Sequence, residues 1–505
     1  MEEQASEERA GNLSPKIKPI NRKQSVFVPL DVENLVGADH KVRAIWTLSG
    51  LFDLSELLER IKSRQGETGQ GAEDPRLLLS IWIYAYSEGV SSSREVAERL
   101  EHEPGLMWLA GLRTISHATL SNFRKDHKKV LERVFVELLG ILETAGVVKL
   151  DQVMHDGTKI RTQAGVDTFR REKTLEKNLE KARVVVEQLG NPDTNSSGRQ
   201  AAAQRRAARE RVERLEAAMS ELKQLQADKN TTEEKEEVRV STTEPEARKM
   251  KHGDNAFAPS YNAQISTDAQ KKVIVGHHLS QCSSDSNSLM PAMDEVKKNL
   301  GRDAKQVVAD GGYTNRGNIV EMAKREIDFI GSMRDTQEAQ NSAVKASGID
   351  AAFAPRFFVL QGETSKLSCP AGKELGYVGQ STKRGNHYHQ YRASGSDCGT
   401  CGHQAQCCPK NAVKGRMVSI LVSEPKEIAE FRIKMETEEA KQAYKKRGPV
   451  AEFPNAWIKD KIGLRKFSLT GMDKAGIELM WACLTYNAMV WIRECWSGPA
   501  IAAAA

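Results

Sequence analysis

The chain has 505 residues, 28% of them charged and 39% hydrophobic, and its 74 basic and 68 acidic side chains leave a formal charge of only +6. This length exceeds what one core usually serves and predicts about two to four domains, while no run approaches the roughly 18 apolar residues that a membrane span needs. Glu2, Glu3, Glu7 and Glu8 stand where a secretion signal would be basic, so a cytoplasmic protein is expected, and any polyanion site must be a local basic surface.

Residues 1–30 are polar and are expected to be disordered. From 31 to 147 the pattern is helical. Leu77, Leu78, Leu79, Ile81 and Trp82 begin one amphipathic run, residues 93–100 form another with a serine to cap it, and residues 116–125 form a third. The third is short and polar with a basic end. It fits either an ordinary helical bundle or a helix-turn-helix that presents Thr119, Asn122, Arg124 and Lys125 to a major groove. From 165 to 250 charge and alanine dominate. Leu175, Leu179, Ala182, Val186 and Leu189 repeat at four and three, as do Ala208, Val212, Leu215, Met219 and Leu222, which predicts an antiparallel helical hairpin. Its arginines, Arg205, Arg206, Arg209, Arg211 and Arg214, are read as a solvated face.

Residues 148–164 and 251–345 change to β periodicity. Tyr261, Ala263 and Ile265 alternate with polar residues, a turn follows at 267–270, and Val273, Ile274 and Val275 return as a hairpin. A helix near 289–300 leads to a strand at 306–309, so the fold class is mixed α/β. Asp156 follows His155 and precedes Gly157, and Asp310 precedes Gly311 and Gly312. Both are placed at strand ends or kinks, where ligands of such sheets usually bind. The two carboxylates, with a third, suit phosphodiester transfer, which uses a metal pair about 4 Å apart held by hard oxygen ligands.

The 141 residues between Asp310 and Glu452 exceed what one connection needs and predict an inserted unit over 346–425. Cys398 and Cys401 form a Cys-x2-Cys pair, with Cys369 upstream and Cys407 and Cys408 downstream. Cys369, Cys398, Cys401 and Cys407 are the candidate ligands of a structural zinc ion, with His387, His389 and His403 as substitutes and unligated thiols as the alternative. In the C-terminal helical part, 426–496, Glu452 lies seven residues before Lys459, about two helical turns. Pro454 suits the first turn of that helix, and Tyr444, Arg447 and Lys459 supply phosphate donors. Glu478 is a competing third acid, set among packed helical residues. Trp481, Trp491 and Trp496 fall in an amphipathic helix whose role is core packing.

Taken together, His155-Asp156-Gly157-Thr158, Tyr261-Asn262-Ala263-Gln264, Ala309-Asp310-Gly311-Gly312-Tyr313 and the segment from Tyr444 to Lys459 resemble the Asp-Asp-Glu transposases of bacterial insertion sequences. The likeness runs from about Val32 to Arg493. It departs from the family's Tyr-Arg-Glu-Lys signature in placing four residues, not three, between Arg447 and Glu452. The resemblance implies an RNase H-like core over 148–164 and 251–345, a helical DNA-binding domain over 31–147, and Asp156, Asp310 and Glu452 holding two Mg2+ or Mn2+ ions. Water would attack at the transposon end, and the freed 3′-hydroxyl would then attack target DNA. Tyr444, Arg447 and Lys459 would grip phosphates, and a homodimer would act on double-stranded DNA near the nucleoid. A DNA-binding relative that no longer cuts, and a nuclease that does not join, are the alternatives.

Overall fold

A computed structural model describes residues 23, 25, 29–63, 71–190, 198–333, 344–360, 366–383, 386–409, 412–423 and 425–498. The stretch expected to be disordered, 1–30, lies almost wholly outside them, as does most of the turn expected between the two long helices.

Seven helices come first: α1 (Lys41–Ser49), α2 (Ser55–Glu59), α3 (Pro75–Ser87), α4 (Ser93–Arg99), α5 (Pro104–Ala110), α6 (His117–Asp126) and α7 (Lys128–Thr144). Five of them, α1 and α3 to α6, start where the sequence supplies a side-chain acceptor. Asp74 caps α3 ahead of Pro75, Glu103 caps α5 ahead of Pro104, and Ser116 caps α6 by accepting from the Thr119 N–H. α3 is buried from Leu77 to Tyr86 on every face, because it packs between α1 and the last helix of the chain.

A six-stranded sheet follows, built from β1 (Gln152–Arg161), β4 (Arg248–Lys251), β5 (Phe257–Asp268), β6 (Ile274–Ser280), β7 (Gln306–Ala309) and β8 (Asp328–Gly331). β2 (Phe169–Arg170) and β3 (Val240–Ser241) form a separate pair. In the large sheet β5 flanks β1 antiparallel, β6 and β4 share the far edge of β5, and β7 and β8 extend the other side parallel to β1. β5 is buried on both faces from Pro259 to Asp268. The polar residues that alternate with Tyr261, Ala263 and Ile265 are therefore buried too, and the helices Leu289–Leu300 and Arg447–Asp460 both pack against this strand.

α8 (Glu172–Gly190) and α9 (Arg199–Ala227) pair along the expected stripes, with Leu175, Ala182, Leu215, Ala218 and Leu222 buried in a core of their own. Arg206, Arg209, Arg211 and Arg214 are exposed and Arg205 is half-buried. A short α10 (Thr232–Glu237) returns the chain to β3. α11 (Leu289–Leu300) and α12 (Arg316–Lys324) then alternate with the parallel strands.

The cysteine-rich unit is a second sheet, in the order β13 (Met417–Ser423), β12 (Asn386–Ala393), β11 (Glu374–Lys383), β10 (Lys366–Ser368), β9 (Val359–Leu360), with two short helices, α13 (Gly395–Gly399) and α14 (Gln404–Cys407). It has its own core around Leu367, Leu375, Tyr391 and Val418. The chain closes with α15 (Lys426–Glu436), α16 (Glu438–Lys445), α17 (Arg447–Asp460) and α18 (Met472–Cys495).

α18 is not amphipathic as expected. It is buried on all sides from Ile477 to Ala488, and Trp481 stacks on Tyr86 at 6.1 Å, beside Trp82 and Phe123. One apolar core thus runs from Val36 through the sheet to Trp491. No described helix is long and apolar enough to cross a membrane.

Candidate active site

Asp156 is not at a strand end. β1 runs on through Gly157 to Arg161, so the expected kink is absent, and what ends beside Asp156 is its neighbour. The parallel pairing of β1 with β7 stops at His155 and Ala309, which makes Asp156 and Asp310 the next positions along two adjacent strands. The Asp310 carboxylate accepts the Gly312 N–H at 2.7 Å, fixing the turn that leaves β7.

α17 lies against β1 and β5 beside Asp156. It starts at Arg447, so Pro454 lies inside it rather than in its first turn. From α17, Arg447 Nη1 stands 3.9 Å from Asp156 Oδ1, and Asn455 Nδ2 donates to Asp156 Oδ2 at 3.3 Å. Burial pushes the Asp156 carboxyl up to about 6. Arg447 opposes that rise, while the charges of Asp310 and Glu452 add to it. Glu452 is therefore a neighbouring charge of Asp156, carried on an exposed side chain. Lys459, two turns further on, is pushed down by burial and by Arg465, and Asp156 counteracts this. Among the described residues no group of three or more His, Cys, Asp or Glu side chains is arranged to hold a metal ion.

The Transposase DDE domain matches residues 368–490, and the Transposase domain (DUF772) matches residues 30–126. Both matches are to transposase families, and together they indicate a DDE transposase of the insertion-sequence type. The first match contains Glu452, Asn455 and the cysteines but neither Asp156 nor Asp310; the second covers α1 to α6. No curated protein matches the chain. A solved piggyBac transposase synaptic complex with hairpin DNA aligns at 8% identity over 90% of this chain and 82% of that one, with a TM-score of 0.27, too low to bear on the fold.

The four residues expected to form a Tyr-Arg-Glu-Lys signature, Tyr444, Arg447, Glu452 and Lys459, do not all gather at Asp156. Arg447, Glu452 and Lys459 lie around Asp156, but Tyr444 belongs to α16. There it packs with Met154, Val308 and Ile330, its ring 5.9 Å from the Arg447 guanidinium. Asn455 was not expected. The signal was present in its spacing, three residues after Glu452 and four before Lys459, which places it on their face of the helix.

Of the residues proposed to read DNA from α6, Asn122 is exposed and Thr119 and Lys125 are half-buried. The Thr119 hydroxyl is engaged with Ser116 Oγ at 2.9 Å. Arg124 is a correction: it is buried, donates to Ser91 O and Ser468 Oγ, and covers the Trp82 ring at 5.1 Å. Its position faces α18, so it is a core cation and is not presented to a groove.

Glu478 is the charge that faces it. The carboxylate is fully buried and accepts the Ser468 and Leu469 N–H groups at 2.9–3.1 Å. Burial raises its pKa, and Arg124 works against that rise. Glu478 thus ties the loop before α18 and lies outside the acid group around Asp156. Glu478→Ala leaves two N–H groups without their acceptor and the buried Arg124 guanidinium without its opposing charge. It is expected to lower stability by about 3 kcal/mol in urea unfolding while DNA cleavage per folded molecule is kept.

In the second sheet Cys369, Cys398, Cys401, Cys407 and Cys408 line one cavity of about 30 Å3. The Lys373 N–H donates to Cys369 Sγ at 3.2 Å and the Arg416 N–H to Cys398 Sγ at 3.3 Å. Burial pushes the Cys407 thiol up and the Cys408 thiol up to about 11. The histidines named as substitutes are elsewhere. His387 and His389 pair with Thr382 and Gln380 across β11 and β12, and His403 packs on Phe353.

Proposed function

We propose that this transposase binds the terminal repeats of an insertion sequence and catalyses metal-dependent cleavage and strand transfer at Asp156, Asp310 and Glu452, on an RNase H-like core. The observation that carries the reading is the convergence on Asp156: Asp310 follows the adjacent parallel strand β7, and α17, which carries Glu452, reaches the Asp156 carboxylate through Arg447 and Asn455. The sheet order, with β6, β5 and β1 antiparallel and then β7 and β8 parallel to β1, supports the RNase H-like assignment.

The chemistry of the donors suits Mg2+ or Mn2+, although their present spacing is not that of a metal-holding group: three carboxylates supply hard oxygen ligands, and Asp156 within β1 and Asp310 just after β7 bring negative charge that Arg447 only partly offsets. When bound, such ions polarise the scissile phosphate and lower the pKa of the attacking hydroxyl. Asp156 and Asp310 form the rigid part of the site. Glu452 contributes from an exposed side chain, which reorients at little cost. Arg447 and Lys459 hold the phosphates of the transposon end by charge-assisted bonds, and Asn455 keeps Asp156 aimed across the sheet edge. Tyr444 positions Arg447 through its ring. Asn122, Thr119 and Lys125 of α6 contact the duplex, and two protomers handle the two ends together.

Incubating labelled end DNA with the protein, with Mg2+ and with chelator, tests this reading. Metal-dependent nicking at the end followed by joining supports it. Binding without nicking identifies a DNA-binding protein instead, and nicking without joining a nuclease.

The cysteine unit is read as a structural zinc site at Cys369, Cys398, Cys401 and Cys407. It is supported by the two backbone N–H donors aimed at sulfur, which favour thiolates, against a burial that otherwise keeps the thiols protonated. Elemental analysis of protein purified without chelator is expected to give one zinc per chain, and none in Cys398→Ser or Cys401→Ser. Wild-type protein free of zinc would remove the assignment.

A further inference from the structure

A buried polar chain connects the two strands that carry Asp156 and Asp310, and it ends on an acid that has no place in the reading above. Asn262 and Gln264 are two apart on β5 and share a face. Both amides donate to Asp285 Oδ1, at 2.7 and 3.2 Å. Asp285 opens the 3-10 turn Asp285–Asn287 between β6 and α11. An ionised carboxylate only accepts, so it fixes which end of the Gln264 amide faces it. The amide oxygen must then point the other way, where it accepts from Tyr313 Oη at 2.6 Å and meets His155 Nε2 at 2.9 Å. Because that oxygen cannot donate, His155 carries its proton on Nε2, and Nδ1 accepts from Ser266 Oγ at 2.9 Å.

This chain of constraints touches both acids through their neighbours. His155 precedes Asp156. Gly157 follows it and lies so close to the same group that a Cβ there would stand 2.6 Å from Gln264 Nε2, 2.7 Å from Tyr313 Oη and 3.0 Å from Asp285 Oδ1. Tyr313 closes the turn that begins at Asp310, with its N–H on the Asp310 carbonyl at 3.2 Å. A Cβ on Gly312 would meet Asp310 Oδ1 at 2.9 Å and Asp285 Oδ2 at 3.6 Å. Gln264 is thus the joint between the Asp156 strand and the Asp310 turn, and Asp285 sets its orientation.

We propose that Asp285 is a positioning residue, which acts through the Gln264 amide and the Tyr313 hydroxyl to hold Asp156 and Asp310 in the mutual arrangement that metal binding requires. The proposal rests on the reading of those two acids as metal ligands. Groups that orient metal ligands in this way alter affinity by about 10–100-fold when removed.

The test is titration of Mn2+ into the DNA-free full chain by calorimetry, together with 15N NMR of the His155 ring. Asp285→Asn and Tyr313→Phe are each expected to weaken Mn2+ binding about tenfold. The double variant should be no weaker than the worse single one, because the two act through one joint. The wild-type ring should show the Nε2–H tautomer, and Asp285→Asn should lose it in part. The exposed Asp294→Asn is the control and should change neither.

Three results overturn the proposal: Mn2+ affinity unchanged in Asp285→Asn, effects of the two substitutions that multiply as independent contributions, or an unchanged His155 tautomer. Wild-type protein that binds no Mn2+ overturns the metal reading itself, and the tautomer then still decides whether Asp285 orients the joint. A lower melting temperature with unaltered Mn2+ affinity would mark Asp285 as merely structural and also overturns the proposal.

Discussion

Asp156→Ala and Asp310→Ala are each expected to reduce cleavage of transposon-end DNA by at least about a thousandfold, while retention of that DNA in a gel-shift assay stays within a few fold. The size follows from what each group does. If the acids share metal ions, removing one leaves the others unable to place the ion against the phosphate, and the lost charge stabilisation amounts to several kcal/mol. The double variant should be no worse than either single one, since residues that act as a unit are not additive. Glu452→Ala belongs to the same class, with one difference: its exposed carriage on α17 predicts that removal leaves the fold untouched. Asp156→Ala, by contrast, also removes the acceptor of Asn455 and the partner of Arg447. Near wild-type cutting by Asp310→Ala would mean that the strand-adjacent pair is not the metal site. Equal loss of binding and cutting would point to misfolding and is checked by unfolding curves.

The place of Asp310 just after the strand 306–309 was legible in the sequence, because a short apolar run ends there on an acid followed by two glycines. The helix over 289–300 and the paired long helices were legible for the same reason, since their apolar spacing matches one helical face. What failed were judgements that depend on tertiary surroundings. Arg124 looks like the basic end of a surface helix, yet α18 lies against it and Glu478 waits opposite. Nothing in residues 116–125 encodes a partner 354 positions away. α18 reads as amphipathic because Glu478, Thr485 and Asn487 interrupt its apolar run. In the structure the first ties a loop, Asn487 bonds the backbone of Ile274 on β6, and Thr485 is buried with no hydrogen-bond partner for its hydroxyl among the described residues, so all three lie inside the core and two of them are satisfied there. Asp285 was illegible for a related reason. It sits in a Ser- and Asn-rich connection, and only the β5 register brings Asn262 and Gln264 to it.

Magnesium binding by the DNA-free chain is expected to depend on pH through Asp156. Its carboxyl is pushed up to about 6, first by burial and then by Asp310 and Glu452 against Arg447, from an ordinary value of 3.8. Between those two values the folded chain holds a proton that the unfolded chain has released. The metal-free fold therefore loses stability from this group as pH rises through the window, by roughly 3 kcal/mol in all. A metal ion binds the ionised form, so affinity should fall about tenfold for each pH unit below about 6 and level off above it. The check is the melting temperature with and without Mg2+ at fixed pH from 5 to 8. The rise caused by Mg2+ should be small at pH 5 and full at pH 7 and above, and Asp156→Asn should abolish it. Comparison at fixed pH matters because burial pushes His155 and His277 down to about 3 and His278 down to about 4. Those groups stay neutral in the fold while the unfolded chain takes up protons below about 6.5, so acid weakens the protein whether or not metal is present. Their contribution cancels in the difference, and what remains belongs to the metal ligands. A Mg2+ effect of constant size from pH 5 to 8 would show that the ion does not compete with a proton on Asp156, and would move the metal away from the β1 and β7 edge.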